Sequence, residues 1–316
     1  ITKLYGLTRR TRTAAINASI LPKMLNTANS TEESVRKAGV EVPLMIMRGD
    51  GGVMEINEMK KRPVLTMLSG PAASVMGSLM YLRASNGVYF EVGETTTNIG
   101  VIKNGRPAID YSVVGGHRTY ISSLDVRVLG VAGGSMIRVN KSGVHDVGPR
   151  SAHIAGLDYA VFTDEDEIVE PQMEFFSPKE GDPEDYVAIR LKSGKRITVT
   201  NSCAANVLGL VTPKDFSYGN VNAARKAMQP IADYLHTTVE DVAAQILTRA
   251  YEKIEPIIME LADKYRLEHD QISLVGVGGG FAYGTAGPTH HALQDIAMMR
   301  AFPNIDVYCP ADPAEM

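Results

Sequence analysis

The chain has 316 residues, a net charge of −4, and apolar and charged contents of 44% and 22%. These values are ordinary for a globular protein of two domains and give no general attraction to nucleic acid or to an anionic membrane. The two cysteines, Cys203 and Cys309, lie far apart in the sequence, which argues against a disulfide framework and favours a reducing, cytoplasmic location. No apolar run reaches transmembrane length, and the amino terminus lacks a signal-peptide pattern.

The first part of the chain is predicted to be helical, followed by a short buried strand. Residues 1–39 carry alanines and leucine at helical spacing, with a further helix beginning at Ser30. The strand, Pro43–Met47, ends in the sequence Arg-Gly-Asp-Gly-Gly. Polar groups at the carboxyl end of a buried strand often face a ligand crevice, so Asp50 is a candidate site residue. A tight turn capped by Asp50 explains the same residues equally well.

A second strand and a helix of small residues are predicted next. The strand covers Pro63–Leu68, and the helix begins near Ser69 with Pro71 in its first turn, where a residue without an N–H is well accommodated. Alanine, serine and glycine follow at close intervals in this helix. Such residues permit close packing, as a helix that crosses between two domains requires.

The most informative stretch is the segment from Val88 to Ile102. β-Branched and aromatic residues predict one strand at Val88–Val92 and a second at Ile99–Ile102. The turn between them, Gly93–Thr97, is rich in hydroxyl groups. It can direct backbone N–H groups and threonine hydroxyls at one point, which is a plausible cradle for phosphate. From these residues alone, an ordinary hairpin remains the alternative.

The segment after this hairpin is predicted to form a meander and then a second glycine-rich turn. Pro107–Val114 is a predicted strand, Gly115–Tyr120 a loop, and Ser122–Leu129 a short helix or turn. From its residues, Gly130–Ser135 reads as a glycine-driven chain reversal. The hairpin predicted between Tyr186 and Thr200 follows an acidic, proline- and glycine-rich stretch and is interpreted as an insertion near residues 160–200.

The last third of the chain is predicted to be helices and strands in alternation. The histidines at 117, 145 and 153 are candidate metal ligands, but their spacing fits no compact metal-binding motif. Cys203 enters a helix, which can make a thiol nucleophilic, but no histidine lies nearby in the sequence to act as its base. Hydrogen-bonded histidines and a buried cysteine are favoured. The predicted elements are the helices Val221–Leu235, Val239–Tyr265 and His290–Met299, the strands Gln271–Val275 and Ile305–Tyr308, and the glycine turn Gly276–Gly280.

A small-residue helix, a phosphate hairpin and a late glycine turn occur in this order in actin-like ATPases. The amino-acid sequences of several motifs more closely resemble one branch of these ATPases, the hydantoinase A-type subunit of the hydantoinase/oxoprolinase family. These motifs are Ile1–Leu7, Arg12–Ala18, Met47–Val53, Leu68–Ala73, Leu124–Val126 and Gly130–Ser135. The resemblance implies an α/β, actin-like ATPase (RNase H-type) fold with an inserted β-hairpin subdomain, and it places Gly130–Ser135 close to the cleft. The implied domains are residues 1–75, 76–285 and 286–316.

The resemblance also implies a function and a site. The function is ATP-dependent opening of a cyclic amide, in which phosphorylation of the amide oxygen lets water attack the carbonyl carbon; related members carboxylate ketones. The resemblance implies a hydantoinase B-type subunit or domain as the partner and leaves homo-oligomerisation open. From the net charge, neither nucleic acid nor a membrane is expected as a partner. The alternatives are a nucleotide-binding or structural actin-like module without turnover, and a subunit of a related ATP-dependent carboxylase. The implied site residues are Glu91 for Mg²⁺ through water, Gly93, Thr95 and Thr96 for phosphate, Gly278, Gly279 and Gly280 for the adenosine side of ATP, and Asp50 and Asp125 as catalytic candidates.

This sequence departs from the family pattern Asp-x-Gly-Gly-Thr-x-x-Asp at the hairpin. Glu91 keeps a carboxylate at the first position, but Glu94 stands in place of the second glycine and Asn98 in place of the last aspartate. A carboxylate facing phosphate adds bulk and repulsion, so Glu94→Gly is expected to tighten Mg²⁺-ATP binding by about 1 to 2 kcal/mol. The family's earlier phosphate loop is not found before Glu91. An excised segment that turns over neither ATP nor a cyclic amide by itself is therefore expected.

Overall fold

The computed structural model describes residues 4–82, 86–213, 215, 217–267 and 273–276. The helices in these residues are α1 (Leu7–Lys37), α2 (Ile56–Lys61), α3 (Ser69–Leu82), α4 (Ala152–Ala155), α5 (Asn201–Val207), α6 (Val221–Leu235) and α7 (Val239–Tyr265). The strands are β1 (Met45–Met47), β2 (Val53–Glu55), β3 (Asn86–Val92), β4 (Thr97–Lys103), β5 (Arg106–Pro107), β6 (Ile109–Val114), β7 (His117–Leu124), β8 (Arg127–Leu129), β9 (Ser135–Asn140), β10 (Gly143–Ser151), β11 (Asp158–Tyr159), β12 (Gln172–Phe176), β13 (Tyr186–Arg190), β14 (Arg196–Thr198) and β15 (Ser273–Gly276).

The chain divides into two compact units. The first contains Ile1–Asn86 and Gly100–Val126, and the second contains Gly87–Ile99 and Arg127–Met316. Strand β4 begins in the second unit and ends in the first. The sequence-based division at residues 75 and 285 stays a prediction.

The first unit begins with one long helix rather than the two helices that the sequence predicted. Helix α1 runs for 31 residues through Pro22 and Ser30 without a break. The acidic residues after Ser30 do not start a new helix, because they lie one turn before basic residues on the same face. Glu33 and Lys37, for example, form an i,i+4 ion pair of 2.7 Å, which supports continuation of the helix.

A small apolar core holds α1 against the strands that follow it. It consists of Ala28, Met54, Ile56 and Met59. The strand predicted at Pro63–Leu68 is wrong, because Pro63–Thr66 forms a turn of 3-10 helix. Proline is compatible with a first helical turn, and the buried Asn17 side chain of α1 accepts the Val64 N–H at 3.2 Å.

The segment predicted as a loop and a short helix forms strands instead. Gly115 and Gly116 make a two-residue turn with φ angles of 56° and 76°, which glycine adopts without strain. Strand β7 therefore begins at once and pairs antiparallel with β6. Arg9 of α1 lies 4.0 Å from the ring centre of Tyr120 and 4.9 Å from that of Tyr111, so cation–π contacts hold this hairpin to the helix.

The second unit contains the predicted central hairpin. Strands β3 and β4 confirm the strands predicted at Val88–Val92 and Ile99–Ile102. On one side, β4 pairs antiparallel with β8; on the other side of the sheet, β15 pairs parallel with β3. Gly276 is in register with Phe90. Because parallel strands end at the same sheet edge, the start of the late glycine stretch and Glu91 lie at one edge.

The second unit also contains a six-stranded sheet, in the order β10-β9-β13-β14-β11, with β12 paired to β13. The hairpin predicted between Tyr186 and Thr200 is confirmed, because β13 pairs antiparallel with β14. The interpretation of the region near residues 160–200 as an insertion stays a prediction. Strand β13 lies inside this sheet, and its residues Tyr186, Val187, Ala188 and Ile189 are all buried. The physical reason is that a continuous apolar run suits a strand covered on both faces, whereas an exposed hairpin would alternate polar and apolar residues.

Three helices cover this sheet and complete its core. Helices α6 and α7 confirm the helices predicted at Val221–Leu235 and Val239–Tyr265. Both begin with a side-chain cap: Asn220 accepts the Ala223 N–H at 3.0 Å, and Thr238 accepts the Asp241 N–H at 3.1 Å. The predicted helix at residues 290–299 and strand at residues 305–308 lie outside the described residues. Within those residues, no helix is both long enough and apolar enough to span a membrane.

Candidate phosphate-binding site

The turn of the central hairpin, Gly93–Thr97, is hydrogen-bonded to the second glycine-rich turn, Gly130–Ser135, which we call the glycine turn. The turn is closed by a hydrogen bond of 3.0 Å from Gly93 N–H to the Thr96 carbonyl. Gly133 N–H donates to the Gly93 carbonyl at 3.2 Å, and Gly134 N–H donates to the Glu94 carbonyl at 2.9 Å. Two stretches that the sequence associated only by family resemblance are therefore in direct contact.

These two bonds also determine which way the turn's own donors point. In a trans peptide, the C=O and the following N–H point to opposite sides. Since the carbonyls of Gly93 and Glu94 face the glycine turn, the N–H groups of Glu94 and Thr95 face away from it. In the part of the chain that the structure describes, no group accepts a hydrogen bond from the N–H of Glu94, Thr95 or Thr96. Adjacent backbone donors of this kind form an anion-binding concavity.

The Glu94 side chain lies on the glycine-turn side. Its Oε1 accepts a hydrogen bond of 2.7 Å from the Tyr159 hydroxyl. Gly134 makes this contact possible, because a Cβ at that position would lie 2.0 Å from Tyr159 Oη and 2.9 Å from Glu94 Cγ. Burial, and then the negative charge of Glu94, raise the pKa of Tyr159 well above its usual range, so its hydroxyl remains a donor at neutral pH.

The threonine hydroxyls of the turn are not equivalent. Thr95 Oγ1 shares a hydrogen bond of 2.9 Å with Ser151 Oγ. Thr97 is buried and donates to the Val131 carbonyl at 2.5 Å, so its hydroxyl holds the two turns together. Thr96 is partly exposed at the tip of the turn. Of the two threonines predicted to hold phosphate, Thr95 already has a neighbouring hydroxyl that fixes its orientation.

Glu91 and Asn98 face each other across the two strands. Asn98 Nδ2 donates to Glu91 Oε2 at 2.8 Å. The loss of the family's last aspartate therefore does more than remove a charge: the amide orients the remaining carboxylate. A second carboxylate at this distance would repel the first, so this sequence carries one charge and one neutral donor instead of two charges.

The glycine turn is held from behind by the start of α5. Asn201 Nδ2 donates to the Ala132 carbonyl at 2.7 Å, and Ser202 Oγ donates to the Gly133 carbonyl at 3.0 Å. Ser135 Oγ accepts the Ala132 N–H at 2.8 Å. Sequence reasoning missed the roles of Asn201 and Ser202, because their partners lie nearly 70 positions earlier in the chain. The one signal that could have found them is a run of polar residues inside an otherwise apolar region.

Of the late glycine-rich segment predicted at Gly276–Gly280, after β15, only Gly276 is among the described residues. Gly276 reaches the sheet edge beside Phe90, next to Glu91. Gly278, Gly279 and Gly280 lie outside the described residues, and their assignment to the adenosine side of ATP stays a prediction.

Asp50 and Asp125 lie in the first unit, on segments that are bonded to each other. Leu124 N–H donates to the Gly49 carbonyl at 2.7 Å. Asp50 Oδ1 accepts the Gly52 N–H at 3.1 Å and Oδ2 is paired with Arg48, which matches the predicted capped turn. Asp125 is buried, with 8% of its surface exposed. A catalytic role for these aspartates stays a prediction.

The histidines and the cysteine have ordinary surroundings. His145 Nε2 lies 2.8 Å from Asp185 Oδ2, whereas His117 and His153 are exposed. Among the described residues, no group of three or more His, Cys, Asp or Glu side chains is arranged to hold a metal ion. Cys203 is fully buried, and burial raises the pKa of its thiol, which opposes nucleophilic reactivity. The prediction of a buried cysteine is confirmed.

Comparison with known families identifies the family to which the chain belongs. The model of the hydantoinase/oxoprolinase family, Hydantoinase_A, matches residues 10–293. The chain belongs to this family. The family resemblance predicted from the hairpin, the small-residue helix and the glycine turns is thereby confirmed.

Several relatives of this hydantoinase/oxoprolinase chain are subunits of larger enzymes. The acetophenone carboxylase gamma subunit of Aromatoleum aromaticum is 27% identical over 322 residues, covering 96% of this chain and 38% of the relative. The caprolactamase subunit alpha of Pseudomonas jessenii is 28% identical over 147 residues, covering 45% of this chain and 21% of the relative. The chain thus spans well under half the length of these curated relatives.

Two solved structures share the fold. The ATP-dependent caprolactamase from Pseudomonas jessenii has a TM-score of 0.59 at 21% identity, over 91% of this chain and 40% of that chain. Nucleotide-free acetone carboxylase has a TM-score of 0.59 at 18% identity, over 88% of this chain and 37% of that chain. At these identities the likeness shows a common fold.

Proposed function

We propose that this chain is a segment of an ATP-dependent enzyme that opens a cyclic amide, and that its central hairpin binds the phosphates of ATP. The fold we assign is that of the actin-like ATPases. The observation that carries the proposal is the turn Gly93–Thr96, whose backbone donors at Glu94 and Thr95 face away from the glycine turn. Membership of the hydantoinase/oxoprolinase family and the likeness to an ATP-dependent caprolactamase support the reaction class.

The turn is suited to phosphate because its donors are fixed before a ligand arrives. The glycine turn holds the Gly93 and Glu94 carbonyls, and α5 holds the glycine turn through Asn201 and Ser202. Donors that need no rearrangement stabilise the charge that develops during phosphoryl transfer at little reorganisation cost. In the proposed reaction, the amide oxygen attacks the terminal phosphorus of ATP and ADP leaves. Water then adds to the activated carbonyl carbon, and the C–N bond of the ring breaks as the nitrogen takes up a proton. A second water hydrolyses the resulting acyl phosphate to the carboxylate and inorganic phosphate.

The residues at the sheet edge fit a magnesium ion that arrives with the nucleotide. Mg²⁺ prefers oxygen ligands and is usually held by one or two carboxylates together with phosphate and water. Glu91 supplies one partly exposed carboxylate there, and Asn98 orients it through Oε2. The ion would supply neutralisation of phosphate charge.

The proposal also assigns roles to the other predicted site residues and to a partner subunit. Gly278, Gly279 and Gly280 would admit the adenosine side of ATP, and Asp50 and Asp125 are the candidate polar residues for the amide. A hydantoinase B-type subunit would complete the enzyme, since the relatives named above are themselves called subunits. We also propose a cytoplasmic location, which the low cysteine content of the sequence supports.

A second candidate function is ATP-dependent carboxylation of a ketone. It is favoured by one observation: the relative that covers 96% of this chain is an acetophenone carboxylase subunit. The phosphate-binding turn would serve either reaction, because both relatives with solved structures are described as ATP-dependent. The two candidates therefore differ in the acceptor of the phosphoryl group and not in the hairpin.

One experiment separates the candidates. The whole protein, with its partner subunit, is incubated with ATP and either a panel of cyclic amides or a panel of ketones with ¹⁴C-bicarbonate. Ring-opened product in step with ADP, without ¹⁴C incorporation, supports the hydrolase. Incorporation of ¹⁴C into the ketone supports the carboxylase. Neither product, together with no nucleotide binding, would refute both, and binding without any product would favour the module without turnover.

A further inference from the structure

The Glu94 carboxylate raises a difficulty for the proposed function. A negative side chain in a turn that binds phosphate should repel the ligand, and the sequence alone predicts that repulsion. The structure shows the carboxylate on the side of Gly134, opposite to the N–H groups of Glu94 and Thr95. Something must keep it there, because a glutamate side chain has three rotatable bonds.

Tyr159 is well placed to do this. It ends β11, which pairs parallel with β14 in the six-stranded sheet, and its ring lies 5.7 Å from that of Phe162. Its carbonyl accepts a hydrogen bond of 2.9 Å from Thr163 Oγ1, which fixes the backbone behind the ring. From this position its hydroxyl reaches Glu94 Oε1 at 2.7 Å. The ring packs on the core of the second unit, so the hydroxyl has little freedom to follow the glutamate elsewhere.

We propose that Tyr159 is a positioning residue that tethers the Glu94 carboxylate on the Gly134 side of the hairpin turn, and so keeps the opposite side of the turn open to a nucleotide phosphate. This inference rests on the proposed function of the hairpin. It also changes the expectation for Glu94→Gly. That substitution removes a charge that is already held aside and adds backbone freedom to the turn, so it should not improve ATP binding by the amount that the sequence predicted.

The test uses Tyr159→Phe, with Tyr186→Phe as the matched control. The control also removes a buried phenol hydroxyl in the second unit, one that donates to the Gly148 carbonyl at 2.9 Å, but it does not touch Glu94. Binding of Mg²⁺-ATP to the whole protein is measured by calorimetry at low and at high salt. Each phenylalanine variant is also made in a Glu94→Gln background, where the side chain still accepts a hydrogen bond but carries no charge.

Tyr159→Phe should weaken binding at low salt by about fivefold, the size of one screened like-charge contact. High salt or the Glu94→Gln background should remove most of this loss, because both suppress the repulsion of a released carboxylate. A merely structural role would give the same loss in all conditions, as any loss in Tyr186→Phe should. No weakening by Tyr159→Phe, or an equal weakening in the Glu94→Gln background, would overturn the proposal.

A second measurement needs no nucleotide and separates this inference from the proposed function. Amide hydrogen exchange at Gly134, whose N–H is bonded to the Glu94 carbonyl, should become faster in Tyr159→Phe than in Tyr186→Phe. If the unchanged protein binds no nucleotide, the proposed function fails, and faster exchange still supports the tether. Unchanged exchange at Gly134 contradicts the tether whatever the nucleotide result.

Discussion

Gly134→Ala tests the packing of the candidate site directly. The added Cβ would lie 2.0 Å from Tyr159 Oη, 2.7 Å from the Glu94 carbonyl oxygen and 2.9 Å from Glu94 Cγ. The tyrosine can move, but the carbonyl cannot move without weakening its hydrogen bond from Gly134 N–H. Overpacking of this kind costs about 1 to 3 kcal/mol, and loss of the tyrosine hydrogen bond adds about 1 kcal/mol. We therefore expect unfolding free energy to fall by about 2 to 4 kcal/mol.

Thermal unfolding followed by circular dichroism measures this loss. For a unit of this size, the expected change is a decrease in Tm of roughly 5 to 15 °C. Gly77→Ala is the control. Apart from the backbone of its own helix, no atom of the described residues lies within 4 Å of the added Cβ, and alanine is preferred to glycine inside helix α3. Its Tm should stay the same or rise. A Gly134→Ala protein as stable as the unchanged one would show that the two turns do not approach as described.

Two further predictions concern carboxylates. Asn98→Asp places a second charge beside Glu91, so the protein should lose about 1 kcal/mol of stability at neutral pH and regain it below about pH 4, where the pair takes up a proton. Denaturation at both pH values measures the loss. An equal loss at both would contradict the prediction. Burial raises the pKa of Asp185, but hydrogen bonds from Arg138 and His145 outweigh it and leave the pKa below the usual range. The stabilisation from ionised Asp185 is therefore complete above the ordinary aspartate pKa and is lost as the pH falls through the lowered one. Asp185→Asn should cost about 1 to 3 kcal/mol at pH 7 and far less at about pH 2, and a loss independent of pH would refute the ionic explanation.

The sequence predicts local elements well where residue type alone decides them. The strands on either side of the turn at Gly93 follow from their β-branched and aromatic residues, and α7 follows from its apolar face. The strand predicted after Pro63 is wrong, because a short apolar run of this kind fits a strand or a helical turn equally well. A buried acceptor from α1, the Asn17 side chain, favours the helical turn, and no local pattern contains that information.

The sequence predicts the candidate site only in part, for a related reason. The cradle character of the turn at Gly93 can be predicted from glycine and hydroxyl content. The position of the Glu94 side chain cannot, because its partner Tyr159 lies 65 residues later in the chain. Likewise, β13 reads as part of an insertion, since acidic and proline-rich stretches separate it from its neighbours. Its pairing with β9, which puts Tyr186 opposite Arg138, exists only after the chain has folded.

Helix α5 affects how sequence variants of this protein should be interpreted. All seven of its residues are buried, and two of them, Asn201 and Ser202, are polar side chains beneath the glycine turn. Substitutions there would abolish function in a mutational scan as completely as changes to a catalytic group. A screen that reports activity alone would therefore assign a catalytic role to residues whose role is to support the fold of the glycine turn. Measuring the amount of folded protein for each variant, beside its activity, separates the two classes.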